Sequence, residues 1–461
     1  MSTRLPFNAP PLAAPQVFLG ISAKSLHIQG NPRSQADFSQ RHRAKTDRFE
    51  LTRVAQSILY DKEKPAAEQK RVCWCHRNII GADTNVSVFR AVDGSSAHFA
   101  GVTTCGSVWH CPVCAAKVAE ARRAELQQGM VAHVHSGGAA YLLTLTFPHE
   151  ADHDLGDMLE RFDKARQSWR NARKVKAILG AEGEAGVAGS VSSLEVTVSL
   201  ENGWHPHLHL LVFADRNGLG EISFDGTVRM DEEANLGSPA IDRLKAEWVR
   251  ILRKVGLGDD SKITWMMERA LNVRGGEMAA EYIAKFGRDE RWGQSSELTR
   301  NHAKIGKAGG NGEILHFTPF QLLAWASQGD GWAYHRFREY AEAFEGKRML
   351  SWSRGLKKRL LGREEERTDE ELAAAQAPET ERSGGLTEEQ YGVLLSRNKL
   401  GDLLRYVAEN CTSPDAAQAD INDFVDSIRP LPPTHSAARR IKATFDRGPK
   451  YGGIDRMRVL A

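Results

Sequence analysis

Residues 204–213 read Trp-His-Pro-His-Leu-His-Leu-Leu-Val-Phe, and few local structures accommodate such a stretch. Polar and apolar residues alternate through His207-Leu208-His209-Leu210, and the run then stays apolar to Phe213, the pattern of a buried strand. Side chains two apart on a strand share a face, so His207 and His209 project the same way. Two imidazoles on one rigid strand are a ready pair of metal ligands, and a borderline cation needs only one or two more groups. A lone histidine in a strand more often simply packs. A pair inside His-Pro-His-x-His, behind Glu195-Val196-Thr197, points to a metal instead.

The strand is the second arm of a hairpin whose first arm spans Val191 to Leu200, with the turn at Glu201-Asn202-Gly203. Parity decides whether Glu195 joins the histidines. A two-residue turn, Asn202-Gly203, sets Glu201 opposite Trp204 and sends Glu195 to the other face. A three-residue loop, Asn202 to Trp204, pairs Glu201 with His205 and brings Glu195 onto the histidine face. Pro206 cannot donate a ladder bond, which favours an irregular register. We therefore expect Glu195 as the third ligand.

Five of the six cysteines (Cys73, Cys75, Cys105, Cys111 and Cys114) fall in one short region, and Cys411 stands alone. Cys111-Pro-Val-Cys114 is a tight chelating loop. With Cys105 and one upstream cysteine it would close a tetrahedral zinc site. Cys75 and Cys73 are alternatives for that fourth place, and His76 and His110 are substitutes for a missing thiolate. The following segment, Ala115 to Gln128, reads as a helix with Arg122 and Arg123 exposed.

Elsewhere Tyr141 to Phe147 alternates cleanly and predicts a strand, its threonines read as ordinary sheet residues. Leu159 to Leu179 reads as one amphipathic helix whose apolar stripe runs Leu159, Phe162, Ala165, Trp169 and Ala172. Its other faces crowd seven cations, a phosphate-contacting surface as readily as a solvated one. Residues 241–255 predict a helix and Lys262 to Met267 a strand. In Glu277 to Gly287, residues Ala279, Ile283 and Phe286 make a helical stripe with Tyr282 at its rim, Lys285 on the same side and Gly287 as a stop. Thr318 is placed to cap a helix opened by Pro319. Arg363 to Glu371 reads as a solvated charged helix, Ala373 to Gly385 as a linker, and Leu386 to Asn410 as helices.

The assembled residues resemble the HUH endonucleases, named for their His-hydrophobic-His strand, and in particular the plasmid rolling-circle replication initiators (Rep proteins). His207-Leu-His209 matches that strand, and Tyr282-x-x-Lys285 matches the nucleophile motif in order and distance. Residues 105–114 are similar to a cysteine element ahead of the catalytic domain, Tyr141 to Phe147 to the first family motif, and Trp352-Ser-Arg-Gly-Leu356 to a further family element. The resemblance covers roughly residues 71–360. It implies an α+β fold: a ferredoxin-like HUH core with a central antiparallel sheet flanked by helices, and the two motif strands adjacent in its middle. A cysteine (zinc-type) element precedes that core and a helical C-terminal region follows it. Mg²⁺ or Mn²⁺ would sit at Glu195, His207 and His209, and Zn²⁺ at the cysteines. Tyr282 would be the nucleophile, with Lys285 stabilising charge. The reaction would be a site-specific nick at a plasmid origin, leaving protein on the 5′ end and a 3′-OH primer. Partners would be origin DNA, duplex and single-stranded, with a host helicase and polymerase. Related initiators carry a water-activating glutamate four residues before the tyrosine. Here Met278 occupies that place, and Glu277, with Glu281 behind it, is the nearest candidate.

The chain divides on this reading into an N-terminal arm, poorly ordered but for a helix near its end (1–70), the cysteine element (71–136), the endonuclease domain (137–300), a basic helical extension (301–372), and a linker with C-terminal helices (373–461). A formal net charge of +3 over 461 residues requires nucleic-acid affinity to come from local basic patches. No apolar run approaches the ~18 residues of a membrane span, and a cytoplasmic protein is expected. Two other readings share these residues: an HUH relaxase or transposase, to which His205 would supply a third histidine, and a zinc-containing DNA-binding regulator without catalysis.

Overall fold

A computed structural model describes residues 35–80, 85–220, 236–275, 316–362, 367–375, 379–411 and 413–428. After helix α1 (Gln35–Leu59) come strands β1 (Val86–Ala91) and β2 (Ala97–Ala100), and then α2 (Pro112–His135). Strand β3 (Gly138–Leu145) leads into α3 (Leu155–Asn171) and α4 (Arg173–Leu179). The hairpin β4 (Gly189–Ser199) and β5 (Gly203–Asp215) follows, then α5 (Pro239–Val255), α6 (Ile263–Arg269) and β6 (Leu271–Gly275). The chain continues through α7 (Pro319–Ala326), α8 (Gly331–Ala343), β7 (Leu350–Trp352), α9 (Leu356–Leu361), α10 (Asp369–Ala374) and β8 (Thr380–Leu386). It closes with α11 (Glu388–Ser396), α12 (Leu400–Asn410) and α13 (Pro414–Ser427).

Five strands form one antiparallel sheet in the order β6-β3-β5-β4-β7. The two strands singled out in the sequence are neighbours in its middle, with Thr144 opposite His209 and Leu145 opposite Leu208. Pairing between β3 and β5 stops at Leu208, two residues before Pro206, so the proline removes no bond from that ladder. Alternation splits β5 between two cores. Leu208 and Val212 are buried on one face, and Leu211 and Phe213 on the other. On the first face lie α3 and α5, whose Phe162 and Trp248 rings pack 5.9 Å apart. On the second, His133 of α2 packs edge-on against Phe213 at 5.3 Å. Among the described residues no helix is long and apolar enough to cross a membrane.

Three stretches and one side chain depart from what their sequence pattern predicts. The helix expected over 159–179 starts earlier, capped by Asp154, and breaks at Ala172 into α3 and α4. Continuing the Leu159–Trp169 stripe by whole turns would carry Lys176 into the core. The break re-phases the chain so that Val175 and Ile178 are buried instead. Residues 262–267 are not a strand. Asp259 accepts the Ser261 N–H and starts a short helical run in which Met266, one turn beyond Ile263, is buried.

The linker expected over 373–385 is the end of α10 followed by β8, which pairs with β1 in a second sheet of order β2-β1-β8. Its glycines serve packing. A Cβ on Gly384 would meet Gln418 Oε1 at 2.7 Å, and Gln418 itself accepts from Gly385 N–H and donates to Gly385 C=O. Arg122, expected in solvent, is buried on the side of α2. It pairs with Asp369 at 3.0 Å and donates to the Arg367 carbonyl, tying α10 to α2. The helix foreseen near the end of the N-terminal arm is α1, whose Val54, Ala55 and Ile58 are core residues.

The Trp352-Ser-Arg-Gly-Leu356 element buttresses the edge of the larger sheet. Trp352 stacks on Phe213, Ser353 exchanges bonds with Ser190, and Leu356 is buried.

Candidate functional site

The β4–β5 hairpin turns through Leu200, Glu201 and Asn202, with Ser199 opposite Gly203. Gly203 sits in the left-handed region (φ +67), which permits a three-residue loop, and a Cβ there would meet Ala151 Cα at 2.9 Å. The loop has the expected length but begins two residues earlier than read from sequence. Parity is unaffected. Glu195 lies directly opposite His207, on the histidine face.

One carboxylate oxygen serves both imidazoles: Glu195 Oε2 is 2.8 Å from His209 Nε2 and 3.4 Å from His207 Nε2. Adjacent ligands of an octahedral ion, each about 2.1 Å from it, stand about 3 Å apart, so these donors already have the spacing a divalent cation requires. Glu195, His207 and His209 form one of the potential ligand groups among the described residues. His209 is fully enclosed, while the His207 and Glu195 side chains keep 14% and 25% of their surface, so one side of the group is open to a substrate.

The electrostatics favour lone pairs over protons. Burial pushes the Glu195 carboxyl up, but the bonds and charge of His207 and His209 outweigh it and hold it below the usual carboxylate range. Burial, with the neighbouring imidazoles, holds His205 down to about 3. Burial also lowers His209, His149 and His316. Neutral imidazole is the ligating form.

Thr144 of β3 and Thr146 just beyond its end, both read as plain sheet residues, contact these histidines. Thr144 Oγ1 is 3.1 Å from His209 Nδ1, and with an ion on Nε2 that hydroxyl would accept the Nδ1–H and fix the ring. Thr146 Oγ1 is 3.1 Å from His205 Nε2, which leaves His205 outside the ligand group. The signal for Thr144 was available: it belongs to the β3 positions that share a face with His209 once the strands pair in register. His149 and His316, with rings 4.7 and 5.8 Å from His205, carry no spacing that would have found them. Tyr282, Lys285, Glu277 and Glu281 lie outside the described residues.

The second group is Cys75, Cys105, Cys111 and Cys114, all buried. Their sulfurs stand 3.6 Å (Cys75–Cys114), 3.7 Å (Cys105–Cys114) and 3.7 Å (Cys75–Cys111) apart. A disulfide would require about 2.05 Å, whereas four sulfurs bound about 2.3 Å from a tetrahedral ion lie about 3.8 Å apart. The donor set fits a thiolate-bound metal. Backbone N–H groups of Cys114 and Ser107 point at the Cys111 and Cys105 sulfurs, as thiolates require. Burial raises the Cys111 thiol, but its three cysteine neighbours and the Cys114 N–H outweigh it and hold it well below its ordinary value. Cys73 is buried outside the group. His76 stacks edge-on against Phe49, and His110 bonds the Ala341 carbonyl, so neither substitutes for a thiolate.

Comparison with known proteins adds a likeness to this geometry. A family model described as Replication protein matches residues 97–219, a span holding Glu195, both histidines and three of the four clustered cysteines. Protein rep of Streptomyces lividans is 28% identical over 303 residues, covering 56% of this chain and 64% of its own length. A Streptomyces cyanogenus protein named neomycin resistance protein is 27% identical over 171 residues, covering 32% of this chain and 39% of its own length. The chain thus spans less than two thirds of either relative. No solved structure matches it. Over residues 97–219 and the stretches shared with these relatives, the chain is similar to Rep replication proteins.

Proposed function

We propose that this protein initiates rolling-circle replication of a plasmid by nicking one strand at the origin through a covalent 5′-phosphotyrosine. The observation that carries the reading is the convergence of Glu195, His207 and His209 on one open face, beside the strand holding Thr144. Those three residues would hold Mg²⁺ or Mn²⁺, which when bound supplies a Lewis acid for a non-bridging phosphate oxygen. Tyr282 attacks phosphorus. The tyrosyl O–P bond forms, the P–O3′ bond breaks, and the departing oxygen takes a proton to become the 3′-OH primer. Lys285 stabilises the phenolate and the charge gathering on the phosphate.

Reach permits this assignment. Strand β6 ends at Gly275, opposite Tyr141 and three residues along the sheet from Thr144, about 10 Å. Tyr282 lies seven residue steps beyond Gly275, a reach of up to about 24 Å. Glu277 is the proposed activator of water for release. Zn²⁺ at Cys75, Cys105, Cys111 and Cys114 would be structural, because all four positions around the ion are filled by protein. Origin DNA, a host helicase and a polymerase are the partners this activity needs.

The test is a nicking assay on supercoiled plasmid carrying the DNA adjacent to the coding sequence. Wild-type protein with Mg²⁺ or Mn²⁺ should yield nicked circles and an SDS-resistant adduct. Tyr282→Phe should yield neither while still binding the duplex. An adduct in that variant, or normal nicking in chelator, overturns the reading. Glu277→Ala should cleave normally and accumulate adduct, and an unchanged release rate refutes its role.

A further inference from the structure

The back of the histidine strand forms the floor of a cavity of about 560 Å³. Leu208, Leu210 and Val212 alternate with the ligating residues and so face the other way, under α3 and α4. That volume is in the range of small-molecule sites. We propose that this cavity binds a nucleotide unit, its base over the apolar floor and its phosphate held by Arg170 and Lys176 at the mouth.

Charge singles out the ligand's anionic end. Among the described residues lining the cavity there is no carboxylate, whereas Arg166, Arg170 and Lys176 all border it. Arg166 is paired with Asp163 at 2.9 Å. Arg170 and Lys176 make no ion pair among the described residues, and both are exposed. The rest of the wall argues for a base over an acyl chain. The Ser192 and Ser351 side chains offer hydroxyls beside the leucines, which a base edge can use and a hydrocarbon cannot. Trp169 of α3 adds an aromatic edge to the wall, while the Trp352 ring stacks on Phe213 across the sheet. Apolar floor, aromatic edge, hydroxyls and unpaired cations together are what stacking and phosphate binding of a single-stranded nucleotide demand. The site lies across the sheet from Glu195, His207 and His209 and does not depend on their chemistry.

The experiment uses the full chain as a His207→Ala/His209→Ala variant, so that cleavage plays no part. Calorimetry would compare deoxyadenosine, deoxyadenosine 5′-monophosphate and a single-stranded 12-mer. Tighter binding of the monophosphate than of the nucleoside, weakened about tenfold by Arg170→Ala/Lys176→Ala, supports the site with a free nucleotide as its source. If only the 12-mer binds, and the same variant weakens it and lowers its salt slope by about 1.4, the source is a DNA strand. Ser192→Phe, which fills the cavity, should abolish either response. Because Arg170 and Lys176 are exposed, their variant keeps the fold and carries the test even if Ser192→Phe misfolds. Binding of both probes unchanged by the cation variant, or displacement by a fatty acid with no nucleotide response, overturns the proposal. A protein that fails to nick but binds as expected would sink the enzymatic reading alone.

Discussion

Cys75, Cys105, Cys111 and Cys114 reach one point from three separate backbone segments, while Glu195, His207 and His209 come from two strands of a single hairpin. The cysteine group is closed. Cys75 follows a short 3₁₀ turn, Cys105 follows β2, and Cys111 caps the α2 N-terminus, so the four sulfurs hold together pieces that contribute little sheet pairing of their own. The Glu-His-His group is open on one side and rests on strands already fixed by eleven register pairs between β4 and β5. An ion in the first place would add to folding. An ion in the second would find its ligands in position.

The largest effect should come from the closed group. Cys111→Ser removes a buried thiolate and should cost several kcal/mol, leaving a protein short of one zinc equivalent and insoluble or loosely folded. Metal content and thermal unfolding of the purified protein check this. A Cys111→Ser protein with unchanged melting temperature would erase the contrast between the two sites. His207→Ala should do the reverse, keeping the melting temperature within a few degrees and slowing nicking about a thousandfold, roughly 4 kcal/mol of transition-state stabilisation. Single-turnover nicking at saturating DNA and metal measures it.

A smaller effect should follow from Thr144→Val. The hydroxyl that holds His209 would be lost with little change of volume. Losing such an outer partner typically costs about 10- to 100-fold in metal affinity or activity. The metal concentration for half-maximal nicking should rise, and Thr144→Ser should restore it. Equal loss in both variants would make the threonine a packing residue after all.

These contrasts also explain what the sequence disclosed. Strand periodicity needs only local information, so β3, β5 and the shared face of His207 and His209 were readable. Cysteine spacing likewise marked the thiolate group, but only the fold separates Cys75, inside it, from Cys73, buried beside it. Glu195 hinged on turn geometry, where the right parity came from a loop placed two residues late. Features set by distant partners stayed hidden. Ser383-Gly384-Gly385 reads as linker because the residues that need those glycines, Gln418 and Ile421, lie more than 30 positions on. Arg122 reads as solvent-exposed because Asp369 is 247 positions away. Ala172 breaks a helix whose stripe looks continuous until Val175 and Ile178 are required in the core.

The smallest predicted effect gives the cysteine side an acid sensitivity that does not involve its thiols. His98 on β2 stacks flat on Phe89, with centroids 5.4 Å apart, and its Nε2 is buried without a partner among the described residues. Burial, reinforced by the charges of Lys45 and Lys117, lowers its pKa to about 4. The unfolded chain protonates the same ring near 6.5. Between those values the unfolded state binds more protons, so stability rises as pH climbs from about 4 to 6.5 and is flat above. Allowing for the part of the ring that water reaches, about 1 kcal/mol is at stake. Thiolate protonation also destabilises this region in acid, so the measurement must be a difference. Urea midpoints of the zinc-loaded protein across pH 4.5–7.5 should slope less steeply in His98→Gln than in wild type. Parallel slopes would assign the acid response to the cysteines and to other buried imidazoles such as His76, and leave His98 a passive member of the sheet.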